Sequence, residues 1–301
     1  MSELTARDVV AVHRLEFPFW VNDVCQSSWG ACFAVTAASQ LFQAPVLLAI
    51  AANFLLIAGG LALNSTADIS TDERHPERGS LAHAARRLGK VRGTRWVSFE
   101  FAVALALCAV VSVWTGRWIP TAMAVAMIGL QVAYNVEPLR WKRRGFLGVI
   151  AFCTAVVGLP CVLSYGAVGA EMSAPVALVF AGLTVLAIGR MTWWSVPDIG
   201  ADAATGMATP GVRYGAVRAL AFACAIMAAG AILLAWGMFL GYGAAASMLA
   251  AAAHVVFLVA ALGLLRRVHR GLTASSVRMR KRSMPLVMVG DLVVAALPLL
   301  A

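Results

Sequence analysis

The sequence predicts an all-α integral membrane protein, and three observations support this class. Of the 301 residues, 61% are hydrophobic and 13% are charged, against roughly 45–50% and about 25% in an average soluble domain. The mean hydropathy is +0.83, so too few polar residues exist to cover a soluble globule. The apolar residues form long continuous runs, which indicate helices because the strands of a membrane barrel alternate in short segments.

Nine of these runs approach the roughly 20 apolar residues that a helix needs to cross a bilayer. The predicted spans cover residues 18–38, 45–64, 97–116, 118–136, 146–169, 172–196, 217–239, 243–265 and 283–301. Turns are predicted at Gln43-Ala44-Pro45 and at Gly241-Tyr242-Gly243. We therefore expect a nine-helix bundle with helical loops at its cytoplasmic face, forming one domain over residues 1–301.

The 24 Lys and Arg residues predict the orientation of this bundle. All but Arg117 precede the first span or lie after spans two, four, six and eight, with Arg190 at the junction of spans six and seven. Because cytoplasmic loops carry the excess of Lys and Arg, the N-terminus is predicted to be cytoplasmic and the C-terminus external, in a bacterial-type cell membrane. The net charge of +10 is then explained by topology and by attraction to anionic membrane lipids, and nucleic acid is not an expected partner.

Neither the cysteines nor the histidines have metal-ligand spacing. The six cysteines fall in predicted spans without a Cys-x-x-Cys pair, which is typical of packing residues. These are Cys25, Cys32, Cys108, Cys153, Cys161 and Cys224. The five histidines are predicted to be structural or surface residues. They are His13, His75, His83, His254 and His269.

Among only 14 acidic residues, two matched pairs stand out. Asn64, Asp68 and Asp72 are spaced i, i+4, i+8 at the end of span two, which places them on one helix face about 6 Å apart. Asp198 and Asp202 repeat the i, i+4 spacing at the end of span six, on the same side of the membrane. A single pair of this kind is also typical of a solvated helix end, but two pairs at the same membrane depth favour a binding site. Hard carboxylate oxygens suit Mg²⁺, and the neighbouring Lys and Arg residues suit a phosphate-rich ligand.

Further candidates lie after span four and inside the spans. The segment from Tyr134 to Gly145 contains Pro138 and four basic residues, and on its own it indicates only a helix end on the cytoplasmic side. Asp23 in span one and Asp291 in span nine are acids within the membrane, which are functional candidates by default.

Together, these segments resemble the UbiA superfamily of intramembrane prenyltransferases. The first family motif is matched by Asn64-Ser65-Thr66-Ala67-Asp68-Ile69-Ser70-Thr71-Asp72. The second is matched by Asp198, Asp202 and Gly206, followed by Val212-Arg213-Tyr214-Gly215. The family's loop after the fourth helix is matched by Tyr134, Pro138, Arg140 and Lys142, and its N-terminal pattern by Arg14, Pro18 and Trp20.

The chain also departs from the family pattern. Ser65 occupies a position where the family usually has Asp, and Asn135 and Glu137 replace the usual Ser and Pro. The basic run from Arg74 to Arg78 lacks the common Arg-Pro ending.

The resemblance implies a role for each matched residue. Asp68 and Asp72 would hold one Mg²⁺ ion and Asp198 and Asp202 a second, with an isoprenyl diphosphate between them. The residues implied to contact the diphosphate are Asn64, Arg78, Arg140, Lys142 and Arg213. The aromatic residues that could face an allylic cation are Tyr134, Trp20, Trp193 and Trp194, although tryptophans at these positions also fit an interfacial belt. Asp23, with Asn22, could position an acceptor or take its proton.

Three functions are compatible with these residues, and a fourth fits the presence of the acids but not their depth in the membrane. The first is Mg²⁺-dependent transfer of a prenyl group to a hydrophobic or aromatic acceptor. A terpene cyclase of the same superfamily would need no acceptor. Elongation of a carotenoid end is a third possibility, since Phe19-Trp20-Val21-Asn22 weakly resembles those enzymes. A secondary transporter would place its acids near the midplane and not at one face.

Overall fold

The computed structural model describes residues 4–75, 77–169 and 171–301, and in these ranges the chain is helical with no β-strand. The helices are α1 (Ala6–Val12), α2 (Phe19–Ala34), α3 (Ala44–Ala67), α4 (Ile69–Asp72), α5 (Gly79–Leu88), α6 (Lys90–Thr115), α7 (Ile119–Asn135), α8 (Phe146–Cys153), α9 (Leu159–Val168), α10 (Ala174–Trp194), α11 (Ile199–Ala204), α12 (Pro210–His269) and α13 (Ser276–Leu300). A π-helical turn over Thr154–Gly158 joins α8 to α9. The predicted all-helical class is confirmed.

Within the described ranges, six helical segments are long and apolar enough to cross a membrane, which makes this an integral membrane protein. They are Ala44–Ala67, Lys90–Thr115, Phe146–Val168, Ala174–Trp194, Pro210–His269 and Ser276–Leu300. Two further helices are shorter: α2 has 16 residues and α7 has 17.

The longest helix, α12, turns back on itself. Its 60 residues would extend about 90 Å if straight, three times the roughly 30 Å apolar core of a bilayer. The backbone leaves helical geometry at Gly215 and at Gly243, where φ is 76° and 83°. The Ser247 hydroxyl donates to the Ala235 carbonyl at 2.7 Å, whereas 12 residues of straight helix would separate them by about 18 Å. The chain therefore reverses at Gly243, where the sequence predicts a turn.

Several helix ends differ from the predicted span ends. α6 begins at Lys90 and not at residue 97, and α13 begins at Ser276 and not at residue 283. Charged residues end an apolar run, but Lys and Arg are good helix formers, so each helix continues past its apolar part. α2 stops at Ala34, short of residue 38.

Two hydrophobic clusters form the interior. One packs α2, α10, α12 and α13 around Trp29 and Leu234, and the other packs α3, α6 and α7 around Leu56 and Met127. α9 contributes to both. All six cysteines are buried and unpaired, as expected for packing residues.

Small residues bring α10 and α12 into backbone contact. A Cβ atom at Gly182 would lie 2.5 Å from the Leu234 nitrogen, and one at Gly230 would lie 2.6 Å from the Leu186 nitrogen. Close approach through small residues is a common way for helices to associate in membranes. This packing fixes the two helices whose connection carries Asp198 and Asp202.

Candidate active site

The first acidic segment lies at a break between α3 and α4. Asp68 adopts φ −103° and ψ 13°, outside helical geometry. Its amide still donates to the Asn64 carbonyl at 3.0 Å, and the Asp72 amide donates to the Asp68 carbonyl at 2.9 Å. The i, i+4 repeat therefore continues through the break. Ser65, at the position where the resemblance expects Asp, turns its hydroxyl back to the Leu61 carbonyl at 3.0 Å.

The second acidic segment surrounds the short helix α11. Asp198 immediately precedes α11 and Asp202 lies within it, with the Asp202 amide donating to the Asp198 carbonyl at 2.9 Å. The Thr209 hydroxyl donates to Oδ2 of Asp202 at 2.9 Å. The start of α12 thereby orients the second carboxylate.

Arg78 connects the two acidic segments. Its guanidinium donates to Oδ1 of Asp72 at 3.2 Å and to Oδ2 of Asp198. A second link runs from the Thr71 hydroxyl to the Thr205 hydroxyl at 3.2 Å. The two segments, more than 120 residues apart in the chain, thus face each other across one guanidinium.

Two cations from the loop after α7 converge on Asp68. The Lys142 ammonium donates to Oδ1 of Asp68, and Arg140 lies 3.6 Å from the same oxygen. Arg140 also pairs with Glu137 at 3.2 Å. The segment after α7, whose sequence on its own indicates only a helix end, therefore contacts the first acidic segment.

Other predicted residues lie apart from these contacts. Tyr134 is buried at the end of α7, with its ring 5.1 Å from that of Phe152. Arg213 is exposed and lies against the turn at Gly145, and it forms no ion pair with an aspartate in the part of the chain that the structure describes. Their roles stay predictions.

Three of the four candidates for the acceptor side are buried, and Trp194 is half-buried. Trp193 packs edge-on against Trp194 and Phe257, with ring centroids 5.1 and 5.2 Å apart. Asn22 and Asp23 are buried near the start of α2, and each has one side-chain oxygen without a hydrogen-bond partner among the described residues. Their roles also stay predictions.

Burial and like charge act together on Asp202. Burial raises its pKa to about 6, and the neighbouring charge of Asp198 acts in the same direction. The Thr209 hydrogen bond and the Arg78 guanidinium act in the opposite direction. A nearby cation would therefore stabilise the ionised form of this pair.

Burial and neighbouring charges also shift the pKa values of Asp72 and Lys142 in opposite directions. Burial raises the pKa of Asp72, and the cations Arg14 and Arg78 partly offset that rise. Burial lowers the pKa of Lys142, and its pairing with Asp68 acts against this decrease. The ionised groups depend on one another for stabilisation.

The donor set fits Mg²⁺. Buried oxygens of Asn64, Asp72 and Asp198 have no hydrogen-bond partner among the described residues. In the same residues, no group of three His, Cys, Asp or Glu side chains converges as a complete metal site. Mg²⁺ ordinarily uses one or two carboxylates and completes its shell with water and phosphate oxygens, so these carboxylates match its requirements.

The structure brings His75 beside the second acidic segment, which the histidine spacing does not indicate, and its structural role stays a prediction. This residue is buried, and its Nε2 lies 3.1 Å from Oδ1 of Asp198, although the two atoms are not aligned for a hydrogen bond. The one sequence signal was its position three residues after Asp72, which puts it beside the first motif.

The prediction for Arg190 needs correction. The sequence indicates a cytoplasmic junction for this residue, but its side chain points into the bundle, with NH1 3.4 Å from Oδ1 of the fully buried Asp291. Trp29 donates its indole N–H to the Asp291 backbone carbonyl at 3.1 Å. Asp291 is therefore a paired acid.

The chain is thus a helical membrane protein with two facing acidic segments at helix ends, bridged and flanked by cations. Sequence comparison identifies the class. The model of the UbiA prenyltransferase family matches residues 26–284, and the chain belongs to that family.

Relatives and solved structures agree with this membership. The chain is 28% identical over 214 residues to the lycopene elongase/hydratase of Halobacterium salinarum, covering 69% of this chain and 72% of the relative. It is 30% identical over 192 residues to the protein of the same name from Haloarcula japonica, covering 62% and 60%. Among solved structures, a UbiA homologue from Archaeoglobus fulgidus bound to GPP and Mg²⁺ has a TM-score of 0.72 at 14% identity, covering 98% of this chain and all of that one. At that identity the likeness concerns the fold.

Proposed function

We propose that this protein is a Mg²⁺-dependent intramembrane prenyltransferase, which ionises an isoprenyl diphosphate and transfers the prenyl group to a hydrophobic acceptor. The observation that carries the proposal is the Arg78 bridge between Asp72 and Asp198, beside the Lys142 contact to Asp68. These contacts support the proposal because carboxylates that suit a metal and cations that suit a diphosphate lie beside one another.

Asp68 and Asp72 would hold one Mg²⁺ ion, and Asp198 and Asp202 a second. When bound, the ions supply Lewis-acid stabilisation of the leaving diphosphate. The Asn64 side-chain oxygen is buried and has no hydrogen-bond partner in the described part of the chain, and it would accept a hydrogen bond from a water molecule in the site.

The cations of the chain stabilise the diphosphate as the C–O bond breaks. Arg78 and Lys142 are already within hydrogen-bonding reach of the carboxylates, and Arg140 lies beside Lys142. Arg213 joins them if its exposed side chain turns inward. The prenyl chain would lie among apolar residues that exclude water, where Tyr134 faces the allylic cation.

The acceptor class that best fits is a carotenoid-type polyene. Two relatives carry the name lycopene elongase/hydratase, and the weak resemblance of Phe19-Trp20-Val21-Asn22 to such enzymes agrees with it. In that reaction the prenyl cation adds to a terminal double bond of the acceptor, and the resulting cation loses a proton or takes up water. Asp23, buried next to Asn22, would receive that proton, with Trp193 and Trp194 beside the chain.

The proposed topology has nine spans, with the N-terminus and the active site at the cytoplasmic face. The reversal of α12 at Gly243 and the shorter apolar helix α7 support this count, and α2 is assigned as the remaining span although it contains several polar residues. The distribution of Lys and Arg supports the orientation. A green fluorescent protein fused after Ala301 should not fluoresce if the C-terminus is external, and bright fluorescence would contradict the orientation.

The test uses purified protein with labelled dimethylallyl diphosphate, and with lycopene as the acceptor. We expect a prenylated product that requires both Mg²⁺ and the acceptor, and that EDTA abolishes. Asp68→Asn and Asp198→Asn should each lower the rate at least about 100-fold. Glu73→Gln, which removes a surface acid paired with Arg86, is the matched control and should retain activity.

The outcomes separate the candidate functions. If the protein converts geranyl diphosphate to a cyclic hydrocarbon without an acceptor, its function is cyclisation and not prenyl transfer. Full activity of both aspartate variants would refute the metal assignment.

A further inference from the structure

Glu77 joins the loop after α4 to the start of α13. Its carboxylate accepts hydrogen bonds from the Ser275 hydroxyl at 2.8 Å, from the Ser276 hydroxyl and from the Val277 amide at 3.1 Å. Ser275 is the N-cap residue of α13, and its hydroxyl also accepts from the Arg278 amide at 3.4 Å. The first amides of a helix have no partner within the helix, and they attract negative charge. Glu77 therefore completes the cap of α13 from a distant part of the chain.

The residue that follows Glu77 is Arg78, which bridges the two acidic segments through Asp72 and Asp198. The Glu77 side chain thus ends at α13, and the side chain of its neighbour ends at the acidic site. Because consecutive Cα atoms are only 3.8 Å apart, a displacement of the Glu77 backbone also displaces Arg78. The position of the guanidinium is therefore tied to α13.

His75 connects the same residues by a second route. The Glu77 amide donates to Nδ1 of His75 at 3.1 Å, and the Arg78 amide donates to the His75 carbonyl at 3.2 Å. Since Nδ1 accepts a hydrogen bond, a neutral His75 ring carries its proton on Nε2. This nitrogen lies 3.1 Å from Oδ1 of Asp198. Glu77 and Arg78 are both bonded to His75, so a displacement of Glu77 reaches the second acidic segment through two side chains.

α13 provides a fixed reference for these contacts. Trp29 of α2 donates its indole N–H to the Asp291 carbonyl of α13 at 3.1 Å. A Cβ atom at Gly290 would lie 2.8 Å from Cε1 of His254 in α12, so these two helices are closely packed. Glu77 consequently holds Arg78 from the side of α13, whereas the two acidic segments follow α3 and α10.

We propose that Glu77 is a positioning residue, which holds Arg78 at the diphosphate site by binding the start of α13. The carboxylates that Arg78 contacts are the proposed metal ligands, so its guanidinium has to exchange them for phosphate oxygens when the donor binds. With the backbone held at Glu77, this exchange requires only a reorientation of the Arg78 side chain. Less conformational freedom is then lost on binding, which favours diphosphate affinity.

The size of the expected effect follows from the exposure of Glu77. This residue is exposed to solvent, and single exposed contacts contribute little to stability. Three donors converge on its one carboxylate, however, and hydrogen bonds to a charged group are stronger than those between neutral groups. We therefore expect a loss of about tenfold in affinity when the carboxylate is removed.

This inference rests on the proposed function, and the experiment measures the binding of geranyl diphosphate with Mg²⁺ to purified protein, together with hydrogen exchange in the ligand-free protein. Glu77→Ala should weaken binding about tenfold and should speed amide exchange in the loop between α4 and α5. Ser276→Ala should weaken binding about threefold, and Ser276→Thr, which keeps the hydroxyl, should bind like the wild type. The matched control in the same loop is Glu73→Gln, which removes an acid paired with Arg86 and should leave binding unchanged.

A double-variant cycle with Arg78→Gln is decisive. Arg78→Gln should weaken binding about 30-fold, and adding Glu77→Ala should cause no further loss, because Glu77 acts through Arg78. Multiplying losses would overturn the positioning role, as would wild-type affinity in Glu77→Ala. Equal binding by Ser276→Ala and Ser276→Thr would also contradict it. A wild-type protein that fails to bind geranyl diphosphate would refute the proposed function instead.

Discussion

The ion pair between Arg190 and Asp291 provides the sharpest stability prediction. Its atoms are 3.4 Å apart, and the exposed fractions of the two side chains are 10% and 0%. At an effective dielectric constant of about 20, two unit charges at this distance attract by roughly 5 kcal/mol. Removing one partner leaves the other charge buried and unpaired, which lowers the free energy of unfolding by roughly 3–5 kcal/mol. Asp291→Leu should therefore be strongly destabilising.

Removing both charges should be much less harmful. The double variant Arg190→Met/Asp291→Leu leaves no unpaired charge, and such replacements are often neutral or stabilising. The Trp29 hydrogen bond goes to the backbone of residue 291, so it survives every substitution there. The comparison thus isolates the carboxylate and the guanidinium.

The assay is thermal unfolding of the detergent-solubilised protein. A loss of about 3–5 kcal/mol corresponds to a decrease in Tm on the order of 5–15 °C. The control is Arg266→Met, an exposed arginine whose loss should change stability by less than about 0.5 kcal/mol. An Asp291→Leu protein as stable as the wild type would refute the reasoning. So would a double variant less stable than either single variant.

Two further stability predictions follow from local geometry. Gly182→Ala should lower the Tm because its Cβ would lie 2.5 Å from the Leu234 nitrogen. Gly129→Ala adds a Cβ with no atom within 4 Å, so its Tm should be unchanged or slightly raised. Equal Tm values for the two variants would contradict the packing argument. Hydrogen bonds from Ser276 and its neighbours lower the pKa of Glu77 to about 2, so its contribution to stability is present above its ordinary pKa of 4.5 and is lost as the pH falls toward 2. Melting curves between pH 6 and pH 3 should therefore show a larger loss for the wild type than for Glu77→Gln, and parallel curves would disprove the contribution.

Much of the fold could be predicted because the bilayer imposes a strong rule on sequence. A spanning helix must be apolar over its full length, so hydropathy located α3, α10 and the turn at Gly243. It could not locate the ends of α6 and α13, because Lys and Arg that end an apolar run are compatible with helix. Spacing also located both aspartate pairs, since the i, i+4 relation is a local property of the chain.

What the sequence could not predict depends on the direction of side chains between helices. Arg190 and Asp291 are 101 residues apart, and only the packing of α10 against α13 brings them together. His75 likewise approaches Asp198 through the conformation of the loop after α4. No periodicity in the sequence specifies these side-chain directions.

The buried carboxylates of this protein lie in two kinds of position, at a helix end or inside a long helix. Asp68 lies at a helix break and Asp198 at the start of a short helix, with side chains 12% and 15% exposed. Asp291 lies inside a long helix with no exposure and a single cationic partner. A carboxylate that exchanges partners needs a helix end, where water and ligand have access, whereas a carboxylate inside a helix can serve packing with one fixed partner. On this argument, neutralising Asp291 together with Arg190 should preserve diphosphate binding, and neutralising Asp198 together with Arg78 should abolish it.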